Sequence, residues 1–419
     1  MMVEKTYELV KELYAIYGVD TDLVLKQLEK IPISLHCWQA DDVGGFETPN
    51  AGLRGGGIAV TGNFLGKPHN IQELRQDLEK VLSLLPGNHK INLHASYGDF
   101  GGNLVDRNEI LPEHFLSWID WAKSQNIKID FNATLFSHPK ADKGFSLSSK
   151  DPEIRAFWIE HCKRCREISA FIGRELNSPC INNIWIPDGS KDIPIDRYGH
   201  RKLLEKSLDE IFAQKYEKRH LIDCVEGKLF GIGSEAFVVG SHEFYLGYAI
   251  KNEIALCVDM GHFHPTENVG EKVSAILPFL KELLIHVSRG IRWDSDHVVI
   301  INDELLSLTH EVVRANALDR VHFGLDFFDA SINRIGAYVI GARATLKALL
   351  IALLESYDLL KEAEESGNYF KRLALLEEIK ALPHGVVWDY YCSKKNVPIG
   401  QFWINEVLQY EKDVLYNRD

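Results

Sequence analysis

From residue 70 to residue 326 the chain keeps one rhythm: an amphipathic stretch, then a short apolar run, then another amphipathic stretch. The runs fall at 90–95 (KINLHA), 128–133, 182–187, 221–226, 255–260, 283–288 and 320–326, and an eighth, ISLHC, precedes them at 33–37. Most are continuous rather than alternating, as strands buried on both faces require. Between them, segments such as IQELRQDLEKVLSLL and PEHFLSWIDWAKSQN carry apolar residues three and four apart, the helical spacing. Eight parallel strands separated by helices predict an α/β fold, a (β/α)8 TIM barrel. A doubly wound open sheet would carry a glycine-rich phosphate turn after its first strand, and RGGG at 54–57 is not that fingerprint.

The flanks fix the domain plan. Residues 1–32 read as an N-terminal helical segment and 33–335 as the catalytic barrel. Residues 336–419 read as a helical extension that packs on the barrel or on a neighbouring subunit, its first helix running for about thirty residues. Residues 39–67 are rich in glycine and lack periodicity, yet contain Phe46, Ile58, Val60, Phe64 and Leu65. A loop that long in a compact domain is expected to act as a lid.

Polar residues fall where such barrels do chemistry. His36, His94, Asn132, Trp185, Glu226, Asp259, His286 and Asp326 stand at or near the C-terminal ends of the eight runs. Six ligand-type groups crowd the stretch 258–296: Asp259, His262, His264, His286, Asp294 and Asp296. Any one of them alone is an ordinary surface or hydrogen-bonded polar residue. Six together at strand ends, in carboxylate and imidazole chemistry, point to a divalent metal. Asp294 and Asp296 share one side of an extended stretch, and a turn at Gly261 sets His262 beside Asp259. Glu226, Asp259, His286 and Asp326 come from adjacent strands and converge on one centre. Seven ligands exceed one small ion, so two sites are expected; His264 and His297 are left as structural or outer groups.

Composition narrows the partners. Net charge is −13, which argues against nucleic acid or an anionic membrane and suits a neutral substrate. The N-terminus lacks a signal-like apolar core, and a cytoplasmic protein is expected. The seven cysteines are scattered, and the CxxC at Cys162 and Cys165 lies in a helical pattern with no second pair.

HCWQADDVGGFE, WIPDGSKD, EGKLFGIG, DMGHFHPTE, HVSRGIRWDSDHVV and HFGLDFFDASINR closely resemble the L-rhamnose isomerase family. The resemblance runs from about residue 30 to the C-terminus. It implies a metal-dependent aldose–ketose isomerase, related in architecture to xylose isomerase, with Mn²⁺ (or Co²⁺, Mg²⁺ or Zn²⁺), two ions per subunit, and a homotetramer. By motif it implies Glu226, Asp259, His286 and Asp326 as ligands of a structural ion, and His262, Asp294 and Asp296 as ligands of a catalytic ion. Lys228 is implied near the sugar's O1 and O2, His94 at the ring oxygen, and Trp185 as a wall against the sugar face. Position 227, where the pattern leads one to expect Ser, is Gly here. The chemistry agrees: a cation on O1 and O2 polarises the carbonyl and aligns both carbons, so hydrogen can move as hydride between C2 and C1, with L-rhamnose giving L-rhamnulose in rhamnose catabolism. Trp38 and Phe131 join Trp185 as candidate stacking partners. The alternatives are another two-metal sugar epimerase or a phosphodiester hydrolase, and a non-catalytic sugar sensor on the same scaffold.

Overall fold

The eight runs form parallel strands that close on themselves: β1 (Ile33–His36), β2 (Lys90–His94), β3 (Lys128–Asn132), β4 (Cys180–Ile184), β5 (Leu221–Glu226), β6 (Ala255–Asp259), β7 (Leu283–Val287) and β8 (Val321–Leu325). The structure, a computed structural model, describes residues 2–47, 62–292 and 294–418, without the side chains of Asp294 and Ser295. Closure is made by β1, which pairs with β2 at Ser34 and Lys90 and with β8 at Ile33 and Phe323. A helix follows every strand. The one after β1, Ile71–Ser83, is capped by the Asn70 side chain, which accepts from Glu73 N, and buries Leu74, Leu78 and Val81. Ile181, Cys224, Ala255, Cys257 and Leu284 fill the barrel's lower interior, and the ionisable strand ends stand above that apolar layer.

β4 starts two residues before the apolar run at 182–187 and stops at Ile184, so Trp185 lies just past the strand end. Asn182 and Asn183 are both buried, Asn183 facing Glu226 inside the barrel and Asn182 facing the helix Pro152–Glu175 outside it, where Ser169 Oγ donates to its side chain (3.4 Å). The expected thirty-residue helix after β8 is two helices, Arg334–Leu353 and Tyr357–Glu365. The chain turns between them because Glu355 is drawn to Arg314 (2.6 Å) and the Ser356 hydroxyl donates to the Tyr17 carbonyl. Arg334–Leu353 packs against Asp303–Arg314 and Thr21–Leu28. It is long and apolar enough to cross a membrane, but 83% of its apolar window is buried inside the protein. A further helix, His384–Lys394, carries Trp388, Tyr391 and Cys392 into the core and packs on the N-terminal helix, where the Tyr7 and Tyr390 rings stack at 3.7 Å.

Most of the lid-like loop, 48–61, lies outside the described residues. Its flanks are held firmly. Arg334 pairs with Asp42 on one side and donates to the Phe64 carbonyl (2.9 Å) on the other. Phe46 N bonds Ser96 O (2.8 Å), and Phe64 N bonds Ala330 O (2.7 Å). Gly62, at φ +102°, sits so close to Ala330 that a Cβ would come within 2.3 Å of its backbone, so only glycine fits.

Candidate active site

Glu226 ends β5, Asp259 ends β6, His286 is the fourth residue of β7, and Asp326 follows β8. Parallel register sets Asp259 beside His286. Each residue offers one ligand atom, and those four atoms all lie within 4.8 Å of one another. His286 Nδ1 is 3.1 Å from Asp326 Oδ2, 3.3 Å from Glu226 Oε2 and 3.8 Å from Asp259 Oδ2. His262 Nδ1 stands 3.1 Å from Glu226 Oε1. The carboxylates are aimed by neutral donors. Asn183 Nδ2 donates to Glu226 Oε2 (2.5 Å), Ser288 Oγ to Asp259 Oδ1 (2.7 Å) and Trp38 Nε1 to Asp326 Oδ1 (3.0 Å).

Two buried carboxylates, Glu226 and Asp259, and the half-buried Asp326 around an imidazole are costly to leave without a cation. Burial pulls Glu226 and Asp326 up, but His286 holds both below the ordinary carboxylate range. Burial pushes Asp259 up to about 6 against the pull of His262. Burial opposes protonation of His286 and His262, yet the surrounding anions raise both. Nε2 of the fully buried His286 lacks a hydrogen-bond partner, and Nδ1 meets its carboxylate neighbours close by but without hydrogen-bond alignment. An imidazole whose ring nitrogen converges with three carboxylates, all ligand atoms within 4.8 Å of one another, is a donor set that fits a divalent ion.

Above this box opens a pocket of about 580 Å³, lined by Glu226, His262, Asp296, Asp326, Lys228 and His94, with Trp38, Trp185, Phe136, Phe328 and Val43 as apolar walls. Asp294–His297 is extended, as the spacing predicts, and pairs antiparallel with Arg289–Ile291. The Asp294 side chain lies outside the described residues, whereas Asp296 reaches the pocket. The Lys228 ammonium stands 5.3 Å from the Trp185 ring centre. Trp38 lines the pocket; Phe131 does not, being fully buried against Phe115 (5.0 Å between ring centres). His264 bonds Thr266 (2.7 Å) at the surface. Asn183, Ser288 and Thr134, whose hydroxyl lies 3.1 Å from His94 Nδ1, are neutral polar groups whose type carries no metal signal in the sequence; the clue to Asn183 is an amide inside an apolar run.

The family model for L-rhamnose isomerase (RhaA) matches residues 1–418. The chain belongs to the L-rhamnose isomerase family. The L-rhamnose isomerase of Rhodopirellula baltica is 55% identical over 416 residues, covering 99% of this chain and 97% of that protein. That of Bacteroides thetaiotaomicron is 54% identical over 417 residues, covering 100% and 99%. Among solved structures, L-ribulose 3-epimerase matches at a TM-score of 0.46 with 11% identity, covering 80% of this chain and 98% of that one. Within the L-rhamnose isomerase family this chain is an isomerase acting on a sugar, and its Gly227 has a local reason. A Cβ there would come within 2.9 Å of His242 Nδ1, while His242 Nε2 donates to the carbonyl of His262 (2.8 Å).

Proposed function

We propose that the enzyme interconverts L-rhamnose and L-rhamnulose by a 1,2-hydride shift, as a step of rhamnose catabolism. The observation that carries this reading is a single pocket joining the acid–imidazole set to Lys228, Trp185 and His94 in a chain of this family. Glu226, Asp259, His286 and Asp326 hold a structural ion, and His262, Asp294 and Asp296 a catalytic one. Two divalent cations per subunit, Mn²⁺ or else Co²⁺, Mg²⁺ or Zn²⁺, supply Lewis-acid polarisation of the carbonyl when bound. Lys228 sets its ammonium against O1 and O2, Trp185 covers one sugar face, and His94 meets the ring oxygen. Trp38, Phe328 and Val43 give the C6 methyl an apolar surface. Among the described residues, the carboxylates that line the pocket, Glu226, Asp296 and Asp326, are all in the proposed ligand set, which favours direct transfer of hydrogen between C2 and C1 over abstraction by a side-chain base.

A homotetramer accounts for the helix Tyr369–Lys380, which buries none of its residues within the chain and leaves Phe370 84% exposed. Seven buried, unpaired thiols suit a reducing cytoplasm. The test is to incubate the Mn²⁺-loaded protein with L-rhamnose in D₂O. L-rhamnulose is expected with the substrate's own hydrogen at C1. No ketose overturns the function, and substantial deuterium at C1 overturns the hydride route alone.

A further inference from the structure

His94 is held by a polar chain that runs behind the pocket wall. Its Nδ1 lies 3.1 Å from the Thr134 hydroxyl, and the Trp38 and Phe136 rings meet it edge-on at 4.6 and 5.4 Å between centres. Thr134 is 1% exposed and is itself clamped through its backbone. Its N–H donates to His161 Nε2 (3.0 Å), and its carbonyl accepts from Arg107 Nη1 (2.8 Å). His161 Nδ1 faces the Arg107 carbonyl at 2.9 Å. Because Nε2 accepts, the His161 proton sits on Nδ1, which donates to that carbonyl. Arg107 also donates to the Phe136 carbonyl and grips the Glu47 carboxylate at 2.9 to 3.1 Å. The Thr134 peptide is thereby fixed, and its hydroxyl hydrogen is the part left free to turn.

We propose that Thr134 is a positioning residue for His94, its hydroxyl keeping one hydrogen bond to the imidazole whichever ring nitrogen carries the proton. A hydroxyl both donates and accepts, whereas a carboxylate in this place would accept only. With Nδ1 bare, the hydroxyl donates to it and Nε2–H faces the pocket; with Nδ1 protonated, the hydroxyl accepts and Nε2 presents its lone pair. The inference rests on His94 meeting the sugar ring, as proposed above. Opening a cyclic aldose breaks C1–O5 and forms the C1–O1 carbonyl. O1 loses a proton, the bonding pair goes to O5, and O5 gains a proton. His94, neutral with its proton on Nδ1 and donating to the Thr134 hydroxyl, takes the first on Nε2, gives the second from Nε2, and ends as it began. Thr134 keeps its bond through both protonation states.

The test is Thr134→Val, which removes the hydroxyl and leaves the peptide bonded to His161 and Arg107, with Thr134→Ala read alongside it and unfolding temperatures recorded. Kinetics are measured on L-rhamnose and on L-rhamnose deuterated at C2. We expect kcat to fall roughly tenfold or more with KM within about twofold of wild type. The isotope effect should shrink, because ring opening becomes slower than hydrogen transfer, and Thr134→Ser should restore all three. A kcat near wild type, or a fall with the isotope effect undiminished, overturns the proposal. His94→Gln separates the two readings. If it leaves kcat intact, His94 does not act on the sugar; if it lowers kcat while Thr134→Val does not, only the positioning role fails.

Discussion

Asp259→Asn is expected to raise the stability of the metal-free protein and to lower that of the metal-loaded one. Asp259 Oδ1 accepts from Gly261 N (2.6 Å) and Ser288 Oγ (2.7 Å), and an amide oxygen accepts both. The amide nitrogen would replace Oδ2, which stands 3.8 Å from His286 Nδ1, so the change removes a charge and spares the hydrogen bonds to Oδ1. Burial lifts this acid from 3.8 to about 6. A raised acid contributes stability that is whole below pH 3.8 and gone above about 6, so at pH 8 the ionised side chain costs about 3 kcal/mol. Burying an amide has its own cost, leaving a net gain of about 1–2 kcal/mol, or about 1–3 °C in unfolding temperature for a chain this long. With a cation the sign turns. An ion at a hundred times its Kd adds about 2.7 kcal/mol to the wild type, and less to a variant lacking one anionic ligand. Thermal melts at pH 8 in chelator and in Mn²⁺ should therefore rank the two proteins in opposite orders. If Asp259→Asn melts lower in both, the carboxylate is held by its protein neighbours and the argument for a reserved cation site fails.

Three further outcomes are expected. Burial holds His89 near 4 and His161 near 3, below the usual 6.5; the stability from keeping each neutral is complete above pH 6.5 and fades as pH falls toward those values. His89→Gln should therefore flatten the loss of unfolding temperature between pH 6.5 and 5, and an unchanged slope would contradict it. Gly227→Ser should lower stability by about 1–3 kcal/mol by crowding His242, and a melt equal to wild type would mean that His242 gives way freely. Trp185→Leu should raise KM for L-rhamnose roughly fivefold with kcat little changed; a loss confined to kcat would remove Trp185 from the sugar's face.

The eight strands were legible because their apolar runs are bounded by helical patterns, and the errors have physical causes. β4 was misplaced because the apolar Trp185 and Ile186 continue the pattern past Ile184 without pairing, while Cys180 and Ile181 stand ahead of two buried amides, Asn182 and Asn183, the second of which serves Glu226 inside the barrel. The break at Ser356 was invisible because the contacts that turn the chain come from Arg314 and Tyr17, far away in sequence. His384–Lys394 escaped notice because Val, Trp and Tyr there do not form one apolar stripe. In the site, charged and imidazole residues announced themselves, and the geometry brings Glu226, Asp259, His286 and Asp326 together. The neutral groups that aim them did not, since an Asn or Thr acquires meaning only from what it faces.

The paired anchors of the 39–67 loop bear on what can be redesigned. Asp42 and Phe64 are both held by Arg334, and Gly62 is bonded in place beside Ala330. Both ends are thus pinned to the segment that follows β8, Ala330 and the first residue of the helix Arg334–Leu353. A redesign aimed at new sugars therefore has fixed boundary conditions: Asp42, Gly62 and Phe64 must be kept, because changing any of them would disturb the approach to β8 and its ligand.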